Sequence, residues 1–109
     1  MKRGEIWTAS GAPGYGGKPR PALIVQSDDL ADTESVITCG FTTQTDDERY
    51  FRPQIQPSPA NGLGHISYVM TEKLTAIPRE KLGKRVGALA VDDMEAVEQA
   101  LQLVLGFAG

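Results

Sequence analysis

The residues best equipped for chemistry lie in "GYGGKPRPALIVQSDD" (14–29), where Arg20 stands between Pro19 and Pro21. A following proline biases a residue toward extended backbone. Pro19 stiffens the approach, so Arg20 is held at the mouth of a strand whose next residues, Ala22 to Val25, are apolar. A guanidinium there stays charged and matches a phosphate bidentately; the plainer account is an exposed strand-end arginine. A second group is "GFTTQ" (40–44), in which the hydroxyls of Thr42 and Thr43 crowd a strand end, although threonine also simply suits strands. If 20–27 and 35–44 pair antiparallel, the end of the second meets the start of the first, and Arg20 comes beside Thr42 or Thr43. A third is "ISYVMTEKL" (66–74). As one strand it places Ser67 and Thr71 on one face and Glu72 on the other, or else it presents only a solvated face.

Other chemistries fail on residue type or spacing. His65 and Cys39 are the single histidine and cysteine, with no second soft ligand close by, so no metal site or cofactor motif is legible. The pairs Asp28–Asp29, Asp46–Asp47 and Asp92–Asp93 fall in turns and at a cap, where aspartate serves the backbone. The glycine-rich stretch lacks P-loop spacing and leads into a strand, not a helix. No serine or cysteine stands in a nucleophile elbow.

These groups need elements to position them. "GEIWTA" (4–9) reads as a first strand, and the glycine- and proline-rich "SGAPGYGGKP" (10–19) as a long loop. Strands follow at 20–27 and, with β-branched and aromatic residues, at 35–44. Pro53 makes 49–57 an edge strand. Asn61-Gly62 marks a turn within 58–64. Residues 65–74 alternate as a strand, 77–82 form a short turn or 3₁₀ piece, and 84–89 a last short strand. The period then changes. Asp92 with Glu95 resembles a capping box, and Met94, Val97, Leu101, Val104 and Leu105 recur at helical spacing. This predicts one helix over about 92–106, stopped by Gly106, with its apolar stripe on the sheet. The fold class is α+β: five to seven strands in a mainly antiparallel, half-closed sheet capped by a C-terminal helix.

A length of 109 residues suits one domain, 1–109. The net charge of −3 argues against a coat of nucleic acid over the whole surface, but leaves room for a local basic groove. A lone cysteine cannot form an internal disulfide, which points to a reducing, cytoplasmic setting, with Cys39 a small buried strand residue. No apolar run approaches the ~18 residues of a membrane span.

Taken in order, "RGEIW", the glycine-rich flap, "KPRPALIVQSD", "GFTTQ", "SYVMTEKLTAIPREKL" and "VGAL" resemble the MazF/PemK toxin family over nearly the whole chain. The resemblance implies the small SH3-like barrel sheet shared with the gyrase poison CcdB. It also implies a homodimer, a metal-independent endoribonuclease acting on single-stranded RNA, and a neutralising antitoxin with an acidic segment. By position, Arg20 resembles the catalytic arginine and Thr42 the catalytic threonine of the MazF branch. The later strand lacks the Arg-x-Asp of the PemK branch. Thr43 leaves the choice of hydroxyl open by one residue, since neighbours in a strand face opposite ways and only one can serve. Tyr15, Lys18, Thr43, Gln44, Ser67 and Lys73 are the candidate RNA contacts, Tyr15 by stacking; Trp7 reads rather as core. His65 and Glu72 are available as a general base, but nothing in the sequence places them. The alternatives are a non-enzymatic, CcdB-like gyrase poison on the same fold and an inactive SH3-like binding module.

Overall fold

Seven strands and one helix form in the computed structural model, which describes residues 1–10, 18–44 and 49–107. In chain order they are β1 (Glu5–Ala9), β2 (Arg20–Ile24), β3 (Ser35–Thr42), β4 (Gln54–Ile55), β5 (Ser67–Val69), β6 (Thr75–Pro78), β7 (Leu82–Ala88) and α1 (Val91–Val104), with a 3₁₀ turn at Arg79–Lys81. Among the described residues every strand pairing is antiparallel. The order across the sheet is β4-β5-β3-β2-β1-β7, and β6 also pairs β3. The result is the expected curled half-barrel with one C-terminal helix.

β3 makes the sheet curl. Its first half, Ser35 to Thr38, pairs β6, while its end, Phe41 and Thr42, pairs β5. Between those ladders only Cys39 and Gly40 of β3 stand against residues 70–74 of the other chain segment. The expected single strand over 65–74 is therefore broken. Its apolar and β-branched run looks continuous, but two short strands joined by a turn let one strand partner each half of a bent β3. The turn is closed by Lys73 N–H donating to the Met70 carbonyl at 3.1 Å. Thr71, fully buried, lies in this turn and donates its hydroxyl to the Phe51 carbonyl. Hence Ser67 and Thr71 do not share a strand face as expected. The expected strand over 49–57 shrinks to β4, which does lie at the sheet edge.

The interior is aliphatic. Ile6, Leu23, Cys39, Ile55 and Val69 pack against Met94 and Val97 of α1, and a second cluster gathers Ala9, Ala22, Ile24, Val36, Ile77 and Leu82. Each large aliphatic fully buried in this way contributes about 1.5–3 kcal/mol. Trp7 packs against the second cluster, half-buried, and its indole N–H donates to Glu5 Oε1 at 3.1 Å. Cys39 is buried as expected, and burial, with a smaller push from Glu72, raises its thiol to about 12, so it stays an inert thiol. The Asn61-Gly62 turn also forms. The Asn61 side chain bonds the backbone of Ser58, Leu63 and Gln56, and Gly62 takes a φ of 71°. A Cβ at Gly87 would come 2.4 Å from the Ala60 carbonyl, so this turn and β7 touch backbone to backbone.

The helix is capped two residues earlier than its apparent capping box. Ala90 is the N-cap and makes no side-chain cap bond, so Asp92 and Asp93 lie inside the first turn, where the helix dipole favours carboxylates. Met94, Val97 and Ala100 face the sheet, whereas Leu105 is exposed. Gly106, at φ 79°, closes a Schellman motif: Phe107 N–H donates to the Gln102 carbonyl at 2.8 Å and Gly106 N–H to that of Leu103 at 3.2 Å. Among the described residues no helix is long and apolar enough to cross a membrane.

One surface carboxylate ties the start of the chain to β7. Glu5 accepts from Lys2 N–H at 2.7 Å, from the Trp7 indole, and from Arg85 Nε at 2.9 Å. Burial alone would raise its pKa. The Lys2 backbone bond and the Arg85 and Trp7 bonds outweigh that and bring it down to about 2. The folded value lies below the unfolded one, so this stabilisation is present above about pH 4.5 and fades as the pH falls toward 2. Glu5→Gln is expected to cost about 1–3 kcal/mol at pH 7, and to flatten the decline of Tm below pH 4.5. An unchanged slope in thermal melts across that range would remove Glu5 from the acid response.

Candidate active site

The antiparallel register of β2 and β3 builds the site. Ala22 lies opposite Gly40, Leu23 opposite Cys39 and Ile24 opposite Thr38. Continuing that register by two residues brings Arg20, where β2 starts, level with Thr42, where β3 ends. Ala22, Leu23 and Ile24 behind Arg20 are buried, but Arg20 itself is exposed. Its strand thus anchors the backbone in the core and leaves the guanidinium at the surface.

A cleft of about 440 Å³ opens at this junction, lined by Arg20, Pro21, Phe41, Thr42, Thr43, Gln44, Ser67 and Met70. Arg20, Thr42, Thr43, Gln44 and Ser67, singled out in the sequence, thereby come together. Ser67 arrives through β5, where Tyr68 pairs with Thr42 and Val69 with Phe41. It is almost fully buried, and its hydroxyl donates to the His65 carbonyl at 3.0 Å. Thr42 is half-buried, and its Oγ1 accepts from Gln44 N–H at 3.2 Å.

One expectation changes. Thr42 and Thr43 were expected to face opposite ways, yet both line the cleft; β3 ends at Thr42, so strand alternation no longer governs Thr43. Lys18 and Lys73 are exposed but do not line the cleft. Lys18 lies two residues ahead of Arg20, and Lys73 is in the turn after Met70. Glu72, held as an available base, is also outside the lining and is engaged elsewhere. Both its carboxylate oxygens accept from Arg52 Nε, at 2.9 and 3.2 Å, and Arg52 Nη2 adds a further bond. Burial would raise the Glu72 pKa, but the Arg52 bonds and charge lower it overall. His65 is exposed and likewise outside the lining. Tyr15 lies outside the described residues.

The sequence reading missed the apolar wall formed by Pro21, Phe41 and Met70. Its signal was present in the neighbours: Phe41 directly precedes Thr42, and Met70 follows the β5 residues that face it. Met70 is drawn in by its N–H, which donates to the Gly40 carbonyl at 3.0 Å. The cleft therefore combines a cation and hydroxyl-bearing residues with the apolar residues Pro21, Phe41 and Met70. It can hold an anionic phosphoryl group and, beside it, a flat unpaired base.

A family model described as "PemK-like, MazF-like toxin of type II toxin-antitoxin system" matches residues 2–105. The chain is 46% identical to a probable endoribonuclease MazF of Mycolicibacterium smegmatis, over 100% of both chains. In structure it is similar to a mycobacterial endoribonuclease solved with its cognate antitoxin, with a TM-score of 0.81 at 23% identity, covering 100% of this chain and 98% of that one. It is also similar to MazF of Deinococcus radiodurans, with a TM-score of 0.77 at 18% identity, covering 97% and 96%.

Proposed function

The chain belongs to the PemK-like, MazF-like toxins of type II toxin–antitoxin systems, and from that membership we propose that its Arg20–Thr42 cleft cuts single-stranded RNA by attack of the ribose 2′-OH. Endoribonuclease activity comes with the family and with the full-length likeness to the mycobacterial MazF. The same findings disfavour a gyrase poison of the CcdB kind. The observation that carries the site assignment is the β2–β3 register, which puts an outward arginine and a hydroxyl in one cleft.

The chemistry follows from the substrate. RNA carries its own nucleophile, so the protein need not activate water and no metal is required. As the 2′-oxygen attacks, negative charge grows on the phosphoryl oxygens. Arg20 supplies a fixed charge and a planar fork of donors to them. The Thr42 hydroxyl donates to the same oxygens, and Thr43, Gln44 and Ser67 hold the flanking backbone. The 2′-OH gives up its proton as its oxygen bonds to phosphorus, the bond from phosphorus to the 5′-oxygen breaks, and that oxygen takes up a proton, giving a 2′,3′-cyclic phosphate and a 5′-hydroxyl. A guanidinium is a poor general base near neutral pH, so Arg20 acts mainly through charge. Pro21, Phe41 and Met70 offer an unpaired base a surface to lie on, with Tyr15, Lys18 and Lys73 as outer contacts. The direct test is to incubate the protein with a long single-stranded RNA and map the new ends. Cuts at a short recurring sequence with 5′-hydroxyl ends support the reading, and intact RNA would refute it.

Two partners accompany this reading. The first is a second copy of the chain, since a two-fold pair extends one short cleft into a longer groove. The second is an antitoxin whose acidic segment folds over the groove and covers Arg20. One of the solved neighbours is itself described as bound to its cognate antitoxin. Sedimentation at micromolar concentration is expected to show a dimer, and bound antitoxin to block cleavage. Monomer alone, or unimpaired cleavage by the complex, would contradict the respective proposal.

A further inference from the structure

Residues 51–53 and 69–72 are laced together. Val69 N–H donates to the Pro53 carbonyl at 3.0 Å, and the Thr71 hydroxyl donates to the Phe51 carbonyl. Between those bonds, Arg52 grips both oxygens of Glu72. The Arg52 side chain is 9% exposed and that of Glu72 26% exposed, so the pair lies largely out of water. The laced segment contains Met70, which lines the cleft and is tied to Gly40 of β3. It continues β5, which brings Ser67 to the same cleft.

We infer that the Arg52–Glu72 pair is a positioning clamp: it fixes the turn at 70–72, and with it the Met70 and Ser67 wall, against the Arg20–Thr42 edge. This rests on the reading of that cleft as the RNA-cleaving site. Three arguments support it. The five-residue stretch 70–74 crosses only two residues of β3 and so lacks a full ladder to hold it. A directional, bidentate bond is the kind of contact that fixes an orientation and not merely a distance. An ion pair this far from water contributes little net stability over an apolar pair of similar volume, so stability alone gives weak reason for its presence here. Neither residue touches the cleft, which makes the effect one of geometry. A wall displaced by about 1 Å is enough to cost roughly 100-fold in rate.

The test uses the full chain and a short single-stranded RNA spanning a cut mapped in a long transcript. Wild type and Arg20→Ala run alongside, so that failure of the cleft assignment shows itself separately as an active Arg20→Ala. Glu72→Gln and Arg52→Lys are expected to lower kcat by about 10- to 100-fold, with KM changed by less than about threefold. Arg52→Met with Glu72→Leu is expected to melt near the wild-type temperature and yet keep the low kcat, because packing returns without the fork. If Glu72→Gln does not fold, Arg52→Lys and the apolar double variant decide. A kcat within about twofold of wild type in the folded apolar variant would overturn the clamp. So would a loss of activity in the single variants that follows their melting temperature alone.

Discussion

Replacing Arg20 with alanine is expected to lower RNA cleavage by at least about 100-fold, the scale of losing one transition-state donor, in a protein that still folds. Folding survives because the side chain is exposed at the start of β2, and the buried residues that hold the strand, Ala22 to Ile24, are untouched. Arg20→Lys is expected to recover little. An ammonium keeps the charge but cannot present two parallel donors to one phosphoryl group. The same assay ranks the two threonines that line the cleft. Thr42→Val keeps the shape of a half-buried residue level with Arg20 and removes its donor, so cleavage is expected to fall about 10- to 100-fold. Thr43→Val, one residue past the strand and exposed, is expected to matter much less. Equal rates for wild type and a well-folded Arg20→Ala would refute the site, and a larger loss from Thr43→Val than from Thr42→Val would reassign the hydroxyl.

An RNA carrying a single 2′-deoxy ribose immediately 5′ of the cut bond is expected to resist cleavage entirely, while EDTA leaves the cleavage of ordinary RNA unchanged. Both expectations follow from the same balance. With the 2′-OH gone the nucleophile is gone, and the cleft offers charge and hydroxyl donors for an attack but nothing that must recruit water. The readout is the product pattern on a gel, with the deoxy position moved one nucleotide to either side as the control for binding. Cleavage that persists at the deoxy site would mean that water attacks. Cleavage abolished by EDTA and restored by a divalent ion would mean that the site works through a metal.

The sequence by itself determined the local features that depend on neighbours in the chain. Pro21 set Arg20 into extended backbone, Asn61-Gly62 made a turn, Gly106 ended the helix, and the spacing of Met94 and Val97 buried one helix face. It also made the meeting of Arg20 with "TTQ" legible, because antiparallel pairing of two adjacent strands leaves little choice of which ends meet. Family resemblance, carried by the order of motifs along the whole chain, added the activity. Only the tertiary structure decided the rest. The strand read over 65–74 became two, because β3 bends and each half needs its own partner, a demand that comes from residues 35–42 and leaves no mark on local alternation. The same break moved Thr71 into a buried turn. Glu72 looked like a free carboxylate until the fold brought Arg52, twenty positions earlier, against it. The apolar wall of Pro21, Phe41 and Met70 came from three separate strands and turns, converging through hydrogen bonds between backbones. Contacts of that kind depend on long-range register, which the chain fixes only when all its strands are in place.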